Sequence, residues 1–257
     1  MVKMIMHGCN GHMGQVITGI VAEDEGIEIV AGVDPFGGQK NDYPVFDNLD
    51  ACDIKADVIV DFSGAKAVDG LLDWCEKTGI PCVLCSTGLS KEQIDRISEV
   101  SGKVAMMRSA NMSLGVNTLM KVLTEVAPIF AEAGFDIEIV EKHHNRKLDA
   151  PSGTALALAD SVNDAFDDEN KYEYVYDRST RSMKRPVKEI GISAVRGGTI
   201  VGDHDVIFAG LDEVVTFSHR AYSRSVFAKG AVQAAKFLSG KGAGLYTMAD
   251  VIDAEQS

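Results

Sequence analysis

The feature that most constrains the fold is a glycine-rich turn directly after the first apolar segment. Residues 2–7 form a strand-like run, and His7-Gly8-Cys9-Asn10-Gly11-His12-Met13-Gly14 then places three glycines at three-residue spacing before an amphipathic segment. A strand that breaks into a glycine-rich turn and opens a helix lets the backbone approach a phosphate, and it presents the helix N–H groups to that phosphate. The spacing G-x-x-G-x-x-G shifts the middle glycine from the usual G-x-G-x-x-G, so the run is a weak signal by itself. Its context strengthens it. A second strand-like run ends at Val33-Asp34, twenty residues past Gly14, where a carboxylate can accept both ribose hydroxyls of an adenosine.

The alternation continues. Strands are expected over 2–7, 27–34, 58–62, 82–85 and 104–107, and helices over 13–25, 67–78 and 90–100, the last opened by a capping box of Ser90 and Gln93. Strand-helix alternation predicts a doubly wound, Rossmann-like α/β dinucleotide-binding domain over 1–110. After Asn111 the order changes to a helix over 116–132, a strand over 135–141, a basic loop, a helix from Ser152, and several strands between Tyr172 and Phe217. That order predicts an α+β domain with a mixed sheet over 111–220. A closing segment over 221–257, with a helix at 225–238, is expected to pack back on the first domain.

The nucleotide choice can be read from the same region. A carboxylate at Asp34 favours NADH and opposes the 2′-phosphate of NADPH, and Pro35 leaves no adjacent Arg to neutralise that phosphate. In a doubly wound sheet the carboxyl ends of the strands border the ligand crevice. The loops Cys85-Ser86-Thr87-Gly88 and Ser109-Ala110-Asn111-Met112 follow the fourth and fifth strands, so they join Gly8, Cys9, Asn10, Gly11, His12, Met13 and Asp34 as candidate cofactor contacts.

Charge excludes several classes of partner. Lys and Arg number 25 against 38 Asp and Glu, a net charge of −13. Such a surface repels phosphate backbones and anionic lipid, so neither nucleic acid nor a membrane surface is an expected partner. No apolar run approaches the roughly 18 residues of a membrane span, and a cytoplasmic location is expected. The five cysteines lie in the first third of the chain, an odd count that fits reduced thiols. Cys82 and Cys85 have C-x-x-C spacing, but a strand would send them to opposite faces, so buried core is the expected role.

Any anionic ligand must therefore find a local basic pocket. Lys142, His143, His144, Arg146 and Lys147 place five groups that can be cationic within six residues, and the chain then runs through Asp149-Ala150-Pro151 into Ser152-Gly153-Thr154 at a helix start. A helix N-terminus beside cationic side chains suits a carboxylate, and His and Lys supply protons for general acid catalysis. The alternative is a solvated basic turn with an ordinary cap. A metal site is not expected, because adjacent His residues diverge and no Cys or acidic partner has ligand spacing.

With these residues in view, the sequence resembles the 4-hydroxy-tetrahydrodipicolinate reductases, also called dihydrodipicolinate reductases. Residues 141–155 match the signature E-x-H-H-x-x-K-x-D-A-P-S-G-T-A, and Gly8 to Gly14 match the loop G-x-x-G-x-M-G. Val195-Arg196-Gly197-Gly198 with Ile200-Val201-Gly202-Asp203-His204 resembles a later glycine-rich segment. The likeness spans essentially the whole chain. It implies NAD(P)H-dependent reduction of a cyclic dicarboxylate in diaminopimelate and lysine biosynthesis, by a homotetramer assembled through the second domain's sheet. It also implies that His143 is the proton donor with Lys147 in support and that His144, Ser152, Gly153 and Thr154 contact substrate; Asp34 and Pro35 make NADH the preferred cofactor, with NADPH as the alternative. His12 stands where many members carry Arg, Pro35 where some carry Arg, and Cys85-Ser86-Thr87 where Gly-Thr-Thr is more common. Rival functions are another two-domain dehydrogenase and a nicotinamide-sensing regulator without turnover. An acylating semialdehyde enzyme would need a nucleophilic Cys in the second domain, and no Cys follows Cys85.

Overall fold

The structure, a computed structural model, describes residues 1–109 and 111–255. In chain order the first elements are β1 (Val2–His7), α1 (His12–Val21), β2 (Ile27–Val33), β3 (Val45–Phe46), β4 (Val58–Asp61), α2 (Val68–Thr78), β5 (Cys82–Leu84), α3 (Lys91–Ser101) and β6 (Ala105–Arg108). They are followed by α4 (Leu114–Glu132), β7 (Asp136–His143), α5 (Gly153–Asn163), β8 (Glu173–Val175), β9 (Glu189–Arg196), β10 (Gly202–Ala209) and β11 (Val214–Ala221). The chain closes with α6 (Ser225–Leu238), β12 (Gly244–Tyr246) and α7 (Met248–Glu255). Residues 1–114 and 225–257 make one compact unit, and 115–224 make a second.

The first unit is a seven-stranded sheet in the order β12-β6-β5-β4-β1-β2-β3, with every adjacent pair parallel. A parallel sheet must be covered on both faces, and strand alternation divides its apolar side chains accordingly. Met4, Met6, Val58, Val60, Val83 and Met107 pack with α1, α6 and α7. Ile5, Ala31, Ile59, Cys82, Leu84 and Met106 pack with α2 and α3 around Trp74. Cys82 and Cys85 fall in opposite layers, and all five thiols are free and buried. The capping box at Ser90 and Gln93 is formed on both sides. Gly230 lets α6 approach the chain closely, since a Cβ there would sit 1.6 Å from the Met112 carbonyl oxygen.

The second unit is a five-stranded sheet in the order β11-β10-β7-β9-β8. β10 runs antiparallel to β7 and β11, while β9 runs parallel to β7 and β8, which makes the sheet mixed. Ile137, Ile139, Ile190, Ile192, Val206 and Phe208 form its inner face and pack against Leu123 and Ala127 of α4 and Leu158 and Val162 of α5. Phe130 stacks on Phe208 at 4.6 Å between ring centroids. Burying each such side chain contributes about 1.5–3 kcal/mol, so this layer is what holds α5 on the sheet. Ion pairs hold the segment before β9 to the sheet: Arg178 grips Glu138 with two hydrogen bonds of 2.8 Å, and Arg181 grips Glu189 with two of 2.7 Å.

Four features depart from the sequence expectations. α4 is 19 residues long with a mean hydropathy of 1.2, enough by length and composition to cross a membrane, although no such run was expected. Its stripe of Leu119, Leu123, Ala127 and Phe130 packs in the second core, and Lys121 and Glu125 lie on it. One stripe of the helix covers the second core. The first helix ends at Val21 rather than 25, with its C-cap at Ala22. β3 and β12, only two and three residues long, are held by neighbouring strands rather than by their own pattern. A seventh helix, α7, follows where none was expected.

Candidate active site

In the first unit the glycine turn does what its position requires. Gly8 has φ 82°, and a Cβ there would meet the Phe62 peptide at 2.8 Å; one on Gly14 would lie 2.3 Å from the Gly8 carbonyl oxygen. Both positions therefore exclude side chains, which keeps the turn tight against β4 and the start of α1. Asp34, at the end of β2, is 7% exposed. Its Oδ2 accepts from the Asn10 N–H at 3.0 Å and its Oδ1 from the Phe36 N–H at 2.9 Å. The Asn10 side chain is tied to the Phe36 carbonyl and accepts from Asn41. The carboxylate is thus fixed before any ligand arrives.

A cavity of about 610 Å³ opens beside it, within the size range of cofactor clefts. Of the anticipated contacts, Gly8, Asn10, Gly11 and Asp34 line it. The sequence reading missed His7, Phe36, Ser63, Gly64 and Lys66, which also line it. The signal was available: the turn after β4 is a carboxyl end of the sheet like those after β1 and β2. Cys9 is fully buried, its thiol pushed up to about 11 by burial and by the Asp34 charge. Met13 packs against the core and His12 is exposed.

The two later loops do not line this cavity. Cys85 is buried, with its thiol raised by burial and by Asp61, whereas Thr87 is exposed. The Ser86 hydroxyl donates to Asp61 Oδ2 at 2.6 Å. Ser109 donates to the Asn111 carbonyl at 2.6 Å, and Asn111 and Met112 are buried. Ala110 lies outside the described residues.

In the second unit β7 carries the polar cluster. Glu141 and His143 alternate with Lys142, so both face the covered side of the sheet, where Glu141 is fully buried and His143 8% exposed. Glu141 Oε2 lies 2.6 Å from His143 Nδ1. Arg196 of β9 binds both oxygens of the same carboxylate at 2.7 and 2.6 Å, and the Ser152 N–H donates to Oε1 at 3.0 Å. Burial would raise Glu141, but Arg196, His143 and the Ser152 N–H outweigh it and hold its carboxyl below the ordinary range. His204 of β10 meets His143 edge to face at 5.2 Å, and its Nε2 is 3.1 Å from Ser152 Oγ. Burial and the neighbouring His143 push His204 down to about 4.

The loop beyond β7 brings the other anticipated residues. Lys147 pairs with Asp149 at 2.9 Å. Burial and the charges of Arg146 and Arg224 lower His144. Ser152 caps α5, accepting from the Ala155 N–H at 3.1 Å, while a Cβ on Gly153 would meet nothing within 4 Å. The first-turn N–H groups of a helix lack intrahelical acceptors, and the space over Gly153 leaves them approachable. Thr154 is half-buried in that first turn. Glu141, Arg196 and His204 stand in the sequence motifs without a role; alternation along β7 places Glu141 beside His143, and strand pairing brings Arg196 and His204 to them. Among the described residues no group of three or more His, Cys, Asp or Glu side chains could hold a metal ion.

The family described as "Dihydrodipicolinate reductase, N-terminus" matches residues 2–112, and "Dihydrodipicolinate reductase, C-terminus" matches 115–252. The chain is 51% identical to a 4-hydroxy-tetrahydrodipicolinate reductase of Caldanaerobacter subterraneus subsp. tengcongensis and 47% identical to one of Clostridium novyi, each over 98% of both chains. It is also similar to a dipicolinate-bound dihydrodipicolinate reductase from Paenisporosarcina sp. TG-14, with a TM-score of 0.78 and 26% identity over 96% of this chain and 97% of that one. A glycine turn with its fixed acidic partner in one unit, a histidine-carboxylate pair beside a helix start in the other, and matches along nearly the whole length place the chain in the dihydrodipicolinate reductase family, a family of NAD(P)H-dependent oxidoreductases.

Proposed function

We propose that this chain reduces 4-hydroxy-tetrahydrodipicolinate, after its loss of water to dihydrodipicolinate, to tetrahydrodipicolinate in diaminopimelate and lysine biosynthesis. The observation that carries this is the Glu141–His143 pair, 2.6 Å apart and buried beside the α5 N-terminus. The nicotinamide, when bound, supplies the hydride. Reduction of a conjugated C=N or C=C bond leaves electron density that an acid must quench. Glu141 accepts the Nδ1–H of His143, so the donor is the doubly protonated imidazolium, which gives up its Nε2 proton and is left as the neutral Nδ1–H tautomer. Lys147 supports that transfer and offers its charge to a substrate carboxylate. His144, Ser152, Gly153 and Thr154 bind the dicarboxylate, Ser152 chiefly by capping the helix whose N–H groups face the anion.

Asp34 with Gly8, Cys9, Asn10, Gly11, His12 and Met13 would hold the adenosine and pyrophosphate, and the 85–87 and 109–112 loops the nicotinamide end. Asp34 disfavours a 2′-phosphate, so NADH is preferred; Lys66 in the same cavity supplies a cation that keeps NADPH usable. The chain assembles as a homotetramer through the second sheet, where Val195 and Val214 stand 45% and 62% exposed. Light scattering at micromolar concentration checks that mass.

The decisive experiment makes the substrate in place, from pyruvate and aspartate semialdehyde with the upstream synthase, and follows nicotinamide absorbance. Oxidation of NADH that depends on the synthase is the expected result. Binding of NADH without any consumption would indicate a sensing protein and overturn the proposal.

A further inference from the structure

β1 and β4 are neighbours in the sheet although a helix and two strands separate them in sequence, so the chain reverses its direction of winding at this pair. Ligand crevices of doubly wound sheets open at that place. His7 and Asp61 are register partners at the carboxyl ends of the two strands. Asp61 is fully buried.

Its hydrogen bonding is unusually complete. Oδ1 accepts from the Ser63 N–H at 3.2 Å and the Ser63 hydroxyl at 2.6 Å, and Oδ2 accepts from the Ser86 hydroxyl at 2.6 Å. His7 Nδ1 stands 2.8 Å from Oδ1. The Ser86 oxygen in turn accepts from the Gly64 N–H at 2.8 Å. Burial would raise Asp61, but His7, Ser63 and Ser86 outweigh it and hold the carboxyl below its ordinary range. The Ser63 N–H, the Ser63 hydroxyl and the Ser86 hydroxyl all donate to it, so the hub requires an ionised, acceptor-only group.

We infer that Asp61 is a positioning residue for the cofactor: through Ser63 and Ser86 it fixes the Ser63-Gly64 wall of the nucleotide cavity and ties the 85–87 loop to it. The inference rests on a dinucleotide occupying that cavity. Ser86 acts here through its link to Asp61 and Gly64, because its single hydroxyl proton is already committed. An amide at position 61 breaks the network in either orientation. With the NH2 toward Ser86, the hydroxyl loses its acceptor; with the NH2 toward Ser63, donors face donors.

The test uses the full-length protein, with NADH affinity measured by nucleotide fluorescence and backbone hydrogen exchange measured on ligand-free protein. Asp61→Asn and Ser86→Ala should each weaken NADH binding by about tenfold, the loss expected when a charge-assisted hydrogen bond is broken. The double variant should be little worse than either alone. Exchange over 62–67 should rise in both variants before any ligand is added, and Ser86→Thr, which keeps the hydroxyl, should restore affinity and protection. If Asp61→Asn fails to fold, Ser86→Ala and Ser86→Thr carry the test. Unchanged exchange over 62–67 in Ser86→Ala, or losses that add in the double variant, overturns the inference, since the wall would then not depend on the Asp61–Ser86 link. Failure of the wild type to bind NADH overturns the dinucleotide assignment itself.

Discussion

Glu141 pairs with His143 and is itself held in place: one oxygen lies 2.6 Å from His143 Nδ1, while Arg196 grips the whole carboxylate from β9. Arg196 balances the buried charge, so Glu141 can orient the imidazole without that charge standing uncompensated. Orientation of this kind fixes a histidine tautomer. Nε2 faces the space above Gly202, where an added Cβ would come within 3.0 Å of it.

Removing the orienting charge is the direct consequence to test. Glu141→Gln should lower kcat by about 10–100-fold, the scale of loss seen when the carboxylate behind a metal-bound histidine is removed. NADH affinity should hold. Steady-state kinetics with fluorescence titration checks both, and a native kcat would show that His143 needs no orientation.

The helix start offers a contrast between binding and stability. Gly153→Val fills space that is empty in the fold, so the melting temperature should stay near native while substrate KM rises at least tenfold. Thr154→Val should raise KM by a smaller factor than Gly153→Val, on the order of tenfold if a hydrogen bond to a charged group is lost. A mere cap would give the reverse, with lower melting temperatures and unchanged KM.

Cofactor choice turns on Asp34. Wild-type kcat/KM should be at or above parity for NADH over NADPH, and Asp34→Ala should move the ratio toward NADPH by about tenfold as the ribose acceptor and the repulsive charge go together. A wild type that strongly prefers NADPH contradicts this.

His204 predicts a pH dependence of stability. Its folded value is about 4 against 6.5 for the free side chain, so the unfolded chain binds more protons between those limits. The stability is fully present above about pH 6.5 and is lost as pH falls toward 4, a change of about 3 kcal/mol. Glu141, Glu138 and Asp61 are lowered in the fold, so their contribution disappears only further down, as pH falls through the depressed carboxyl values. His204→Gln should flatten melting temperature between pH 6.5 and 4 and leave the lower limb in place. An unchanged slope in the upper window rules out His204 as its source.

Local rules made much of the fold legible. Asp34 stands out because spacing from a glycine turn is a sequence property, and the Ser90 cap is legible because it and Gln93 sit three residues apart. The parallel sheet followed from segment order. The features that escaped depend on pairing between distant residues. β12 joins β6 across more than 130 residues, and Gly244-Leu245-Tyr246 alone carries no strand signal. Arg196 and His204 reach Glu141 and Ser152 only because β9 and β10 flank β7. The basic loop showed its charge in the sequence, but not that Lys147 leans on Asp149 or that Glu141 stands beneath His143.

The most direct test of proton transfer in the second unit is kcat for His143→Ala and Lys147→Ala in the synthase-coupled assay, at saturating NADH, on protein shown to bind NADH as the wild type does. Loss of a general acid costs roughly 10²–10⁴-fold, and each variant is expected in that range. Near-native kcat in both would contradict the assignment of proton transfer to this pair.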